Sequence, residues 1–221
     1  MTKYILLTGY ARSGKDTVAG MLQVILERDY KISVGIQALA EPIKAIANIA
    51  TNGEAGVDTT ADRGREMSIG YTPRKLWQII GTELFQHGLM KYSKEFKRII
   101  GKTLWCRILH QKANEVKLGK FADGIVIVTD VRFPHEVEYF QSISDAVVVH
   151  VSKFTIPWYK RIFLHRSERY IHKLHKDLVI DNRGTLQNLK GHCYEVAGNL
   201  AVWYDEMNEG MTSYSGTYRG Q

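Results

Sequence analysis

Residues 9–17, near the N-terminus, combine two glycines with a lysine and short oxygen-bearing side chains. Glycine permits backbone dihedrals closed to other residues, so successive N–H groups can turn toward one anion beside the positive end of a helix dipole. The lysine adds a cation for the outer oxygens of a polyphosphate. This pattern predicts a phosphate-binding loop formed by Ala11, Arg12, Ser13, Gly14, Lys15, Asp16 and Thr17.

The sequence on either side has the pattern that a P-loop requires. The apolar run 4–7 predicts a buried strand, and apolar residues recurring over 18–26 predict an amphipathic helix. Lys15 is expected to lie exposed at the start of that helix. The next residue is usually Ser or Thr, but here it is Asp16, followed by Thr17. Both side chains offer oxygen, so we predict that they hold Mg²⁺, either directly or through water.

A second polar group follows the β-branched run 124–129. Asp130 and Arg132 lie at the predicted strand tip, and Glu136 lies one helical turn into the next element. Ligands of open α/β sheets bind at the carboxyl ends of strands, so this tip should face the P-loop. The arginine could clamp phosphoryl oxygens while the carboxylates hold a metal-bound water or the acceptor. The alternative is a structural salt bridge.

A third group lies on the helix predicted to begin at Thr72 and Pro73. Arg74, Gln78 and Thr82 recur at four-residue intervals and therefore share one helical face. A guanidinium, an amide and a hydroxyl together could hold a phosphate and a base. A solvated polar face opposite the apolar one is the alternative.

The segment 153–176 is rich in cations: Lys153, Lys160, Arg161, Arg166, Arg169 and Lys173. It is interpreted as a lid that closes over phosphates and excludes water, or else as an exposed basic arm for nucleic acid. The histidines at 165, 172 and 175 lack a set of acidic or cysteine partners, so we expect them to be solvated.

Strands predicted at 4–7, 32–38, 124–130, 145–151 and 178–180 alternate with helices. This order, with a P-loop after the first strand, predicts an α/β fold: a three-layer P-loop kinase core, or the related NTPase core, with a mostly parallel sheet, helices on both faces and a basic lid segment. We expect one domain over residues 1–221, with an acceptor-binding insertion at about 51–118 and the lid at about 153–176.

Composition agrees with a globular protein. The chain of 221 residues is 44% hydrophobic and 24% charged, and no apolar run is long enough for a membrane span. Because the sequence leads directly into a strand, it predicts a cytoplasmic protein without a signal peptide. Cys106 and Cys193 lack metal-ligand spacing and are predicted to be reduced core thiols. A net charge of +7 suits an anionic partner without choosing one.

Several motifs occur together in a fixed order: Ser-Gly-Lys-Asp-Thr at 13–17, Thr-Pro-Arg with Gln-x-x-Gly-Thr-Glu over 72–83, Asp-Val-Arg-Phe-Pro-x-Glu at 130–136, His-Arg-Ser-Glu at 165–168 and Asn-Arg-Gly-Thr-Leu at 182–186. In this order they resemble the bacteriophage-type deoxynucleoside monophosphate kinases of the adenylate kinase-like P-loop superfamily. The resemblance spans residues 4 to about 200.

The resemblance implies transfer of the γ-phosphoryl group of ATP to a deoxynucleoside monophosphate with Mg²⁺. It implies four groups of residues: catalytic Lys15, Asp16, Arg132 and Glu136; metal-binding Asp16 and Thr17; acceptor-side Arg74, Gln78, Glu83, Trp105 and Asp130; and, in the lid, Arg161, Arg166 and Glu168. Trp105 would stack on the base. The expected partners are small molecules rather than nucleic acid or membrane, and a homodimer is left open.

Two other functions fit the same residues. One is a P-loop kinase of another small phosphorylated metabolite, because related kinases share the Gly-Lys-Asp loop. The other is an ATP-binding module whose basic arm holds nucleic acid.

Overall fold

The computed structural model of the protein describes residues 2–56, 65–115, 124–153 and 168–212. A five-stranded parallel sheet runs in the order β2-β3-β1-β4-β5. Its strands are β1 Lys3–Thr8, β2 Val34–Ala38, β3 Ile125–Val131, β4 Ala146–Ser152 and β5 Leu178–Asp181. The central strand β1 pairs with β3 on one side and β4 on the other, with Ile5 opposite Ile127 and Val147. The parallel α/β sheet predicted from the sequence is thus confirmed.

Within the described ranges the chain has eight α-helices: α1 Lys15–Asp29, α2 Glu41–Ala50, α3 Pro73–Gln78, α4 Leu89–Tyr92, α5 Lys94–Ile99, α6 Leu104–Glu115, α7 Pro134–Ile143 and α8 Leu186–Thr212. A π-helix, Ile79–Gly88, continues α3, and short 3₁₀ turns cover Gly101–Thr103 and Ile171–Lys173. The chain divides into two compact units, the first formed by Met1–Ile36 with Ala113–Gln221 and the second by Gln37–Lys112.

Helices cover both faces of the sheet in the first unit. Alternate residues of β1 point to opposite sides, so Ile5 packs in a cluster with Leu22 of α1 and Leu200 of α8. Tyr4, its neighbour in sequence, contacts the ring of Phe140 in α7, with the ring centroids 4.8 Å apart. Strands β1, β3 and β4 are buried on both faces, which explains why they appear in the sequence as nearly continuous apolar runs. The three-layer prediction is confirmed for this unit.

The second unit has a separate, smaller core. Ala47 of α2 and Ile80 of the π-helix are buried together with Ala55 and Met67. Leu76 and Phe85 are among the partly buried residues that pack against them. The sequence predicted the helix that begins at Pro73, but it did not predict α4, α5 or the change from α- to π-helix at Ile79.

The structure also bears on the predictions for the cysteines, for a membrane span and for the lid. Cys106 and Cys193 are buried thiols, as predicted. Within the described ranges, no helix is long and apolar enough to cross a membrane. Most of the predicted lid, including Arg161 and Arg166, lies outside the described residues.

Candidate active site

The loop between β1 and α1 has the backbone of a phosphate cradle. Gly9 and Gly14 have φ angles of 152° and 91°, and Arg12 has a φ of 62°. A Cβ atom at Gly9 would lie only 2.7 Å from both Ser13 Oγ and the Val151 carbonyl oxygen. Side chains at Gly9 and Gly14 would therefore strain or fill the loop, which accounts for glycine at both positions.

Lys15 lies inside this loop. Its side chain is 7% exposed, and Nζ donates to the carbonyl oxygens of Gly9 at 3.1 Å and Tyr10 at 3.3 Å. The sequence-based expectation that Lys15 is exposed at the helix start is wrong, because the loop folds around its side chain. The ammonium group is thus held by two loop carbonyls.

Four other charged groups of the first unit interact electrostatically with this ammonium. Burial lowers the pKa of Lys15; Asp130 raises it, Arg132 lowers it, and Asp16 and Glu168 raise it. All four are residues that the sequence predicted for the catalytic centre, the metal, the acceptor or the lid. Charged residues from three separate motifs therefore act electrostatically on one amino group.

The loop also has oxygen donors suited to a magnesium–nucleotide complex. Ser13 Oγ is buried without a hydrogen-bond partner among the described residues, so it can donate to an anion. Asp16 and Thr17 lie exposed in the first turn of α1. Kinase sites commonly hold Mg²⁺ by one or two protein oxygens together with phosphates and water, so this donor set fits the ion. Across the described ranges, no group of three His, Cys, Asp or Glu side chains could hold a metal.

At the carboxyl end of β3, a bulge places Asp130. Pairing with β1 shifts between Leu6 opposite Val128 and Thr8 opposite Val131, so β3 contains one extra residue there. Asp130 has a φ of 66°, a conformation that non-glycine residues seldom adopt. Arg132 Nη2 lies 3.7 Å from Asp130 Oδ1. Bulges are frequent beside active sites because they redirect a side chain, and this one sets the carboxylate beside the guanidinium.

Glu136 joins this strand tip to α7. Its side chain is 5% exposed, and Oε2 accepts hydrogen bonds from the backbone N–H groups of Arg132 at 2.7 Å and Phe133 at 3.0 Å. Phe133 is the N-cap residue of α7, so the carboxylate closes the helix start as in half of a capping box. Burial raises the pKa of Glu136 to about 7, although the two N–H donors and Arg132 oppose the shift.

We predict that Glu136→Gln removes a pH dependence of stability. A carboxyl group with a raised folded-state pKa contributes stability below its unfolded value of about 4.5, and this contribution is lost as the pH rises toward about 7. Glutamine keeps an acceptor oxygen for both N–H groups but cannot ionise. The free energy of unfolding of the variant, relative to that of wild type, should therefore increase between pH 5 and pH 8, by on the order of a few kcal/mol. Urea unfolding at both values measures this difference.

The same variant tests the predicted catalytic role of Glu136. If the carboxylate only holds Arg132 and Phe133 in place, Glu136→Gln retains most of kcat at pH 7. A large loss of kcat with a normal fold would support direct participation. A relative stability that did not change with pH would contradict the raised pKa.

The predicted acceptor residues, apart from Asp130, belong to the second unit. Arg74 is exposed and Gln78 is half-buried. Exposed Glu83 lies 3.6 Å from Lys75 Nζ. Trp105 is 3% exposed and donates from Nε1 to the Gly81 carbonyl oxygen at 3.1 Å, so in this conformation its ring is part of the core. Base stacking by Trp105 stays a prediction.

The remaining lid prediction falls partly on described residues. Glu168 is 8% exposed and is one of the groups acting on Lys15, so it lies close to the P-loop. His172 and His175 are exposed, as predicted. His175 Nε2 nevertheless has one acidic neighbour, Asp177 Oδ1, at 3.1 Å.

Sequence reasoning gave no role to two residues near the loop. Asn182 Nδ2 donates to the Ser13 carbonyl oxygen at 2.8 Å, although these residues are 169 positions apart. His150 is 6% exposed, and its Nδ1 has no hydrogen-bond partner in the described part of the chain. Burial, reinforced by Lys176 and Lys15, lowers the pKa of His150 to about 4. The only signal in the sequence was the Asn-Arg-Gly-Thr motif, which included Asn182 without a role.

A P-loop after the central strand β1, with a buried lysine and an Asp–Arg pair at the end of the neighbouring strand β3, defines a P-loop phosphate-binding site in an α/β protein. A model of the family described as deoxynucleotide monophosphate kinase matches residues 56–193, more than half of the chain. The chain belongs to this family. The match begins after the P-loop, so the loop and the family assignment are independent observations.

Among solved structures, a shikimate kinase from Aquifex aeolicus is 13% identical with a TM-score of 0.40, covering 89% of this chain and 98% of its own. A sugar kinase from Janibacter sp. HTCC2649 is 14% identical with a TM-score of 0.39, covering 89% and 92%. Both similarities are too distant to bear on the substrate. A search among curated proteins found no match.

Proposed function

We propose that the protein transfers the γ-phosphoryl group of ATP to a deoxynucleoside monophosphate. An oxygen of the acceptor phosphate attacks the γ-phosphorus, the bond to the β–γ bridging oxygen breaks, and ADP and a deoxynucleoside diphosphate are released. The observation that carries the proposal is the buried P-loop lysine, Lys15, whose ammonium is held by two loop carbonyls and interacts electrostatically with the Asp130–Arg132 pair at the end of β3. The family's description supports the deoxynucleotide acceptor.

Positioning and electrostatics supply most of the catalysis in phosphoryl transfer, because little covalent work is required of the protein. Lys15 would leave the Gly9 and Tyr10 carbonyls and move to the β- and γ-phosphate oxygens. Arg132 would neutralise charge on the phosphoryl group in flight, and Asp130 would hold the guanidinium in position. Asp130 and Arg132 would need no rearrangement of the sheet to act, since they already lie side by side at the end of β3.

Asp16 and Thr17 would hold Mg²⁺, and Ser13 Oγ would donate to a phosphate oxygen. When bound, the metal would screen phosphate charge and orient the polyphosphate. Arg74, Gln78 and Glu83 would bind the acceptor. Arg161 and Arg166 would complete the charge clamp when the lid closes.

The acceptor is tested by a coupled assay of ADP release with a panel of monophosphates. The panel includes the four common deoxynucleoside monophosphates, their ribose counterparts, the unphosphorylated deoxynucleosides and several sugar monophosphates. We expect at least one deoxynucleoside monophosphate to exceed its ribose counterpart in kcat/KM by about 10- to 100-fold, a range reachable by excluding one hydroxyl. Unphosphorylated nucleosides should not react.

Two outcomes would replace the proposal. Preferred turnover of a sugar monophosphate would make the protein a kinase of another phosphorylated metabolite. ATP binding without transfer to any acceptor, together with salt-sensitive retention on nucleic acid, would favour the binding-module alternative. The Lys15→Met variant provides the background rate for every acceptor.

A further inference from the structure

Asn182 connects the end of β5 directly to the P-loop. Its side-chain nitrogen Nδ2 donates to the Ser13 carbonyl oxygen at 2.8 Å. The amide group also lies against Gly14, since a Cβ atom built on this glycine would collide with the same nitrogen. Asn182 thus contacts two consecutive residues of the phosphate cradle, and this bond bridges the N-terminal loop and the C-terminal part of the chain.

The residues beside Asn182 hold it in place. Its own backbone N–H donates to the Ser152 carbonyl oxygen at 2.8 Å, at the end of β4. The Arg183 guanidinium binds the Asp181 carboxylate, with Nε 2.9 Å from Oδ1 and Nη2 2.6 Å from Oδ2. The ring nitrogen Nδ1 of His192 in α8 lies 2.8 Å from the Asp181 carbonyl oxygen. These bonds fix the end of β5, and so they hold the side-chain amide of Asn182 in position.

A bond to the Ser13 carbonyl also orients the next N–H group. The peptide joining Ser13 and Gly14 is planar and trans, so its C=O and N–H point in opposite directions. Fixing the Ser13 carbonyl toward Asn182 therefore directs the Gly14 N–H away from Asn182. Glycine would otherwise tolerate more than one orientation of this peptide, because both signs of φ are accessible to it. The asparagine thus selects one peptide orientation from those that glycine permits.

We propose that Asn182 is a positioning residue that holds the P-loop in its phosphate-binding conformation. The inference rests on the proposed function only in taking the ligand of this loop to be the polyphosphate of a nucleotide. Asn182 touches no phosphate itself and acts through the Ser13–Gly14 peptide. Replacing Asn182 should therefore change the affinity for every ligand that carries the polyphosphate, whatever its base.

The test uses Asn182→Ala and Asn182→Asp in the full chain. Alanine removes the donor, while aspartate keeps the size of the side chain and places an acceptor against the carbonyl oxygen. We measure ADP affinity by calorimetry and the affinity of inorganic tripolyphosphate by competition with ADP. One hydrogen bond corresponds to roughly a fivefold to tenfold change, so Asn182→Ala should weaken both ligands by about that factor, and Asn182→Asp by more. In both variants the affinity for the acceptor should stay within about twofold of wild type, since neither substitution removes a contact with the acceptor.

Asn188→Ala is the matched control. Asn188 lies in the first turn of α8, and its side-chain Oδ1 accepts hydrogen bonds from the backbone N–H and the hydroxyl of Thr185. It should lower the melting temperature without changing affinity for either phosphate ligand. A loss of ADP affinity with unchanged tripolyphosphate affinity would overturn the proposal, because Asn182 would then act on the base or sugar. Unchanged affinity for both would also overturn it. Failure of the wild type to bind ADP would instead overturn the proposed function, and with it the assumption that the P-loop binds the polyphosphate of a nucleotide.

Discussion

Replacing Lys15 with methionine is expected to lower kcat by about 10²- to 10³-fold and to leave the protein folded. A preorganised charge that stabilises the transferring group typically contributes this much to the rate. Methionine fills a similar apolar volume but has no donor or charge. Burial already lowers the pKa of Lys15, so the charged form is not favoured by its surroundings in the free protein. The melting temperature should therefore not fall by more than a few degrees.

Two variants isolate this effect. Lys190→Met removes a lysine that is exposed on α8 and should keep full activity. Lys15→Arg keeps the charge but changes its shape, so it should recover binding of ATP better than kcat. Steady-state kinetics with saturating acceptor measures each variant. If Lys15→Met retained more than about a tenth of wild-type kcat, corresponding to less than ~1.4 kcal/mol of transition-state stabilisation, Lys15 would not have the proposed role.

The sheet and the P-loop could be predicted because their signals are local. The run of β-branched residues before Asp130 indicates a strand buried on both faces, and the structure has β3 at Ile125–Val131. The spacing of Gly9, Gly14 and Lys15 specifies the loop through backbone dihedrals that few other residues adopt. Each of these features is contained within about ten residues, and tertiary contacts did not override them.

The features that were not predicted depend on partners far away in the chain. The β3 bulge arises from how Thr129 and Asp130 pair with β1, and no residue there signals an extra position. The bond from Asn182 to Ser13 spans 169 positions and has no periodic pattern. Lys15 was expected to be exposed because it starts a helix, but the loop folds around its side chain and two loop carbonyls accept hydrogen bonds from its ammonium group.

The acceptor residues show a similar limit. Arg74, Gln78 and Thr82 share a face only on a regular α-helix, but the helix widens to a π-helix from Ile79 onward. Their spacing therefore supports the first two positions better than the third. Trp105 was assigned through the family resemblance, and sequence alone could not show that its ring nitrogen is bonded to Gly81.

Asp16→Asn is expected to separate a metal-binding role from a helix-capping one. In the absence of metal, a carboxylate near the phosphates repels them, by on the order of 1 kcal/mol per charge pair at about 4 Å in water. With Mg²⁺ bound, the same carboxylate should attract the ion or orient one of its waters. Asparagine keeps the shape of the side chain and removes only its charge, so the variant should gain affinity for metal-free ADP and lose affinity for the Mg²⁺ complex.

This opposite change with and without Mg²⁺ is the diagnostic result. We expect kcat to fall by about 10²-fold, in the range for removal of one preorganised electrostatic group, and the half-saturating Mg²⁺ concentration to rise. Calorimetry with ADP in chelator and in excess Mg²⁺ measures both affinities, and Thr17→Val provides the comparison for a neutral oxygen at the next position. If Asp16 served only the helix start, its loss would lower stability by roughly 0.3 to 1 kcal/mol. Unchanged Mg²⁺ dependence with that destabilisation would exclude the metal role and leave Asp16 as a charge at the start of α1.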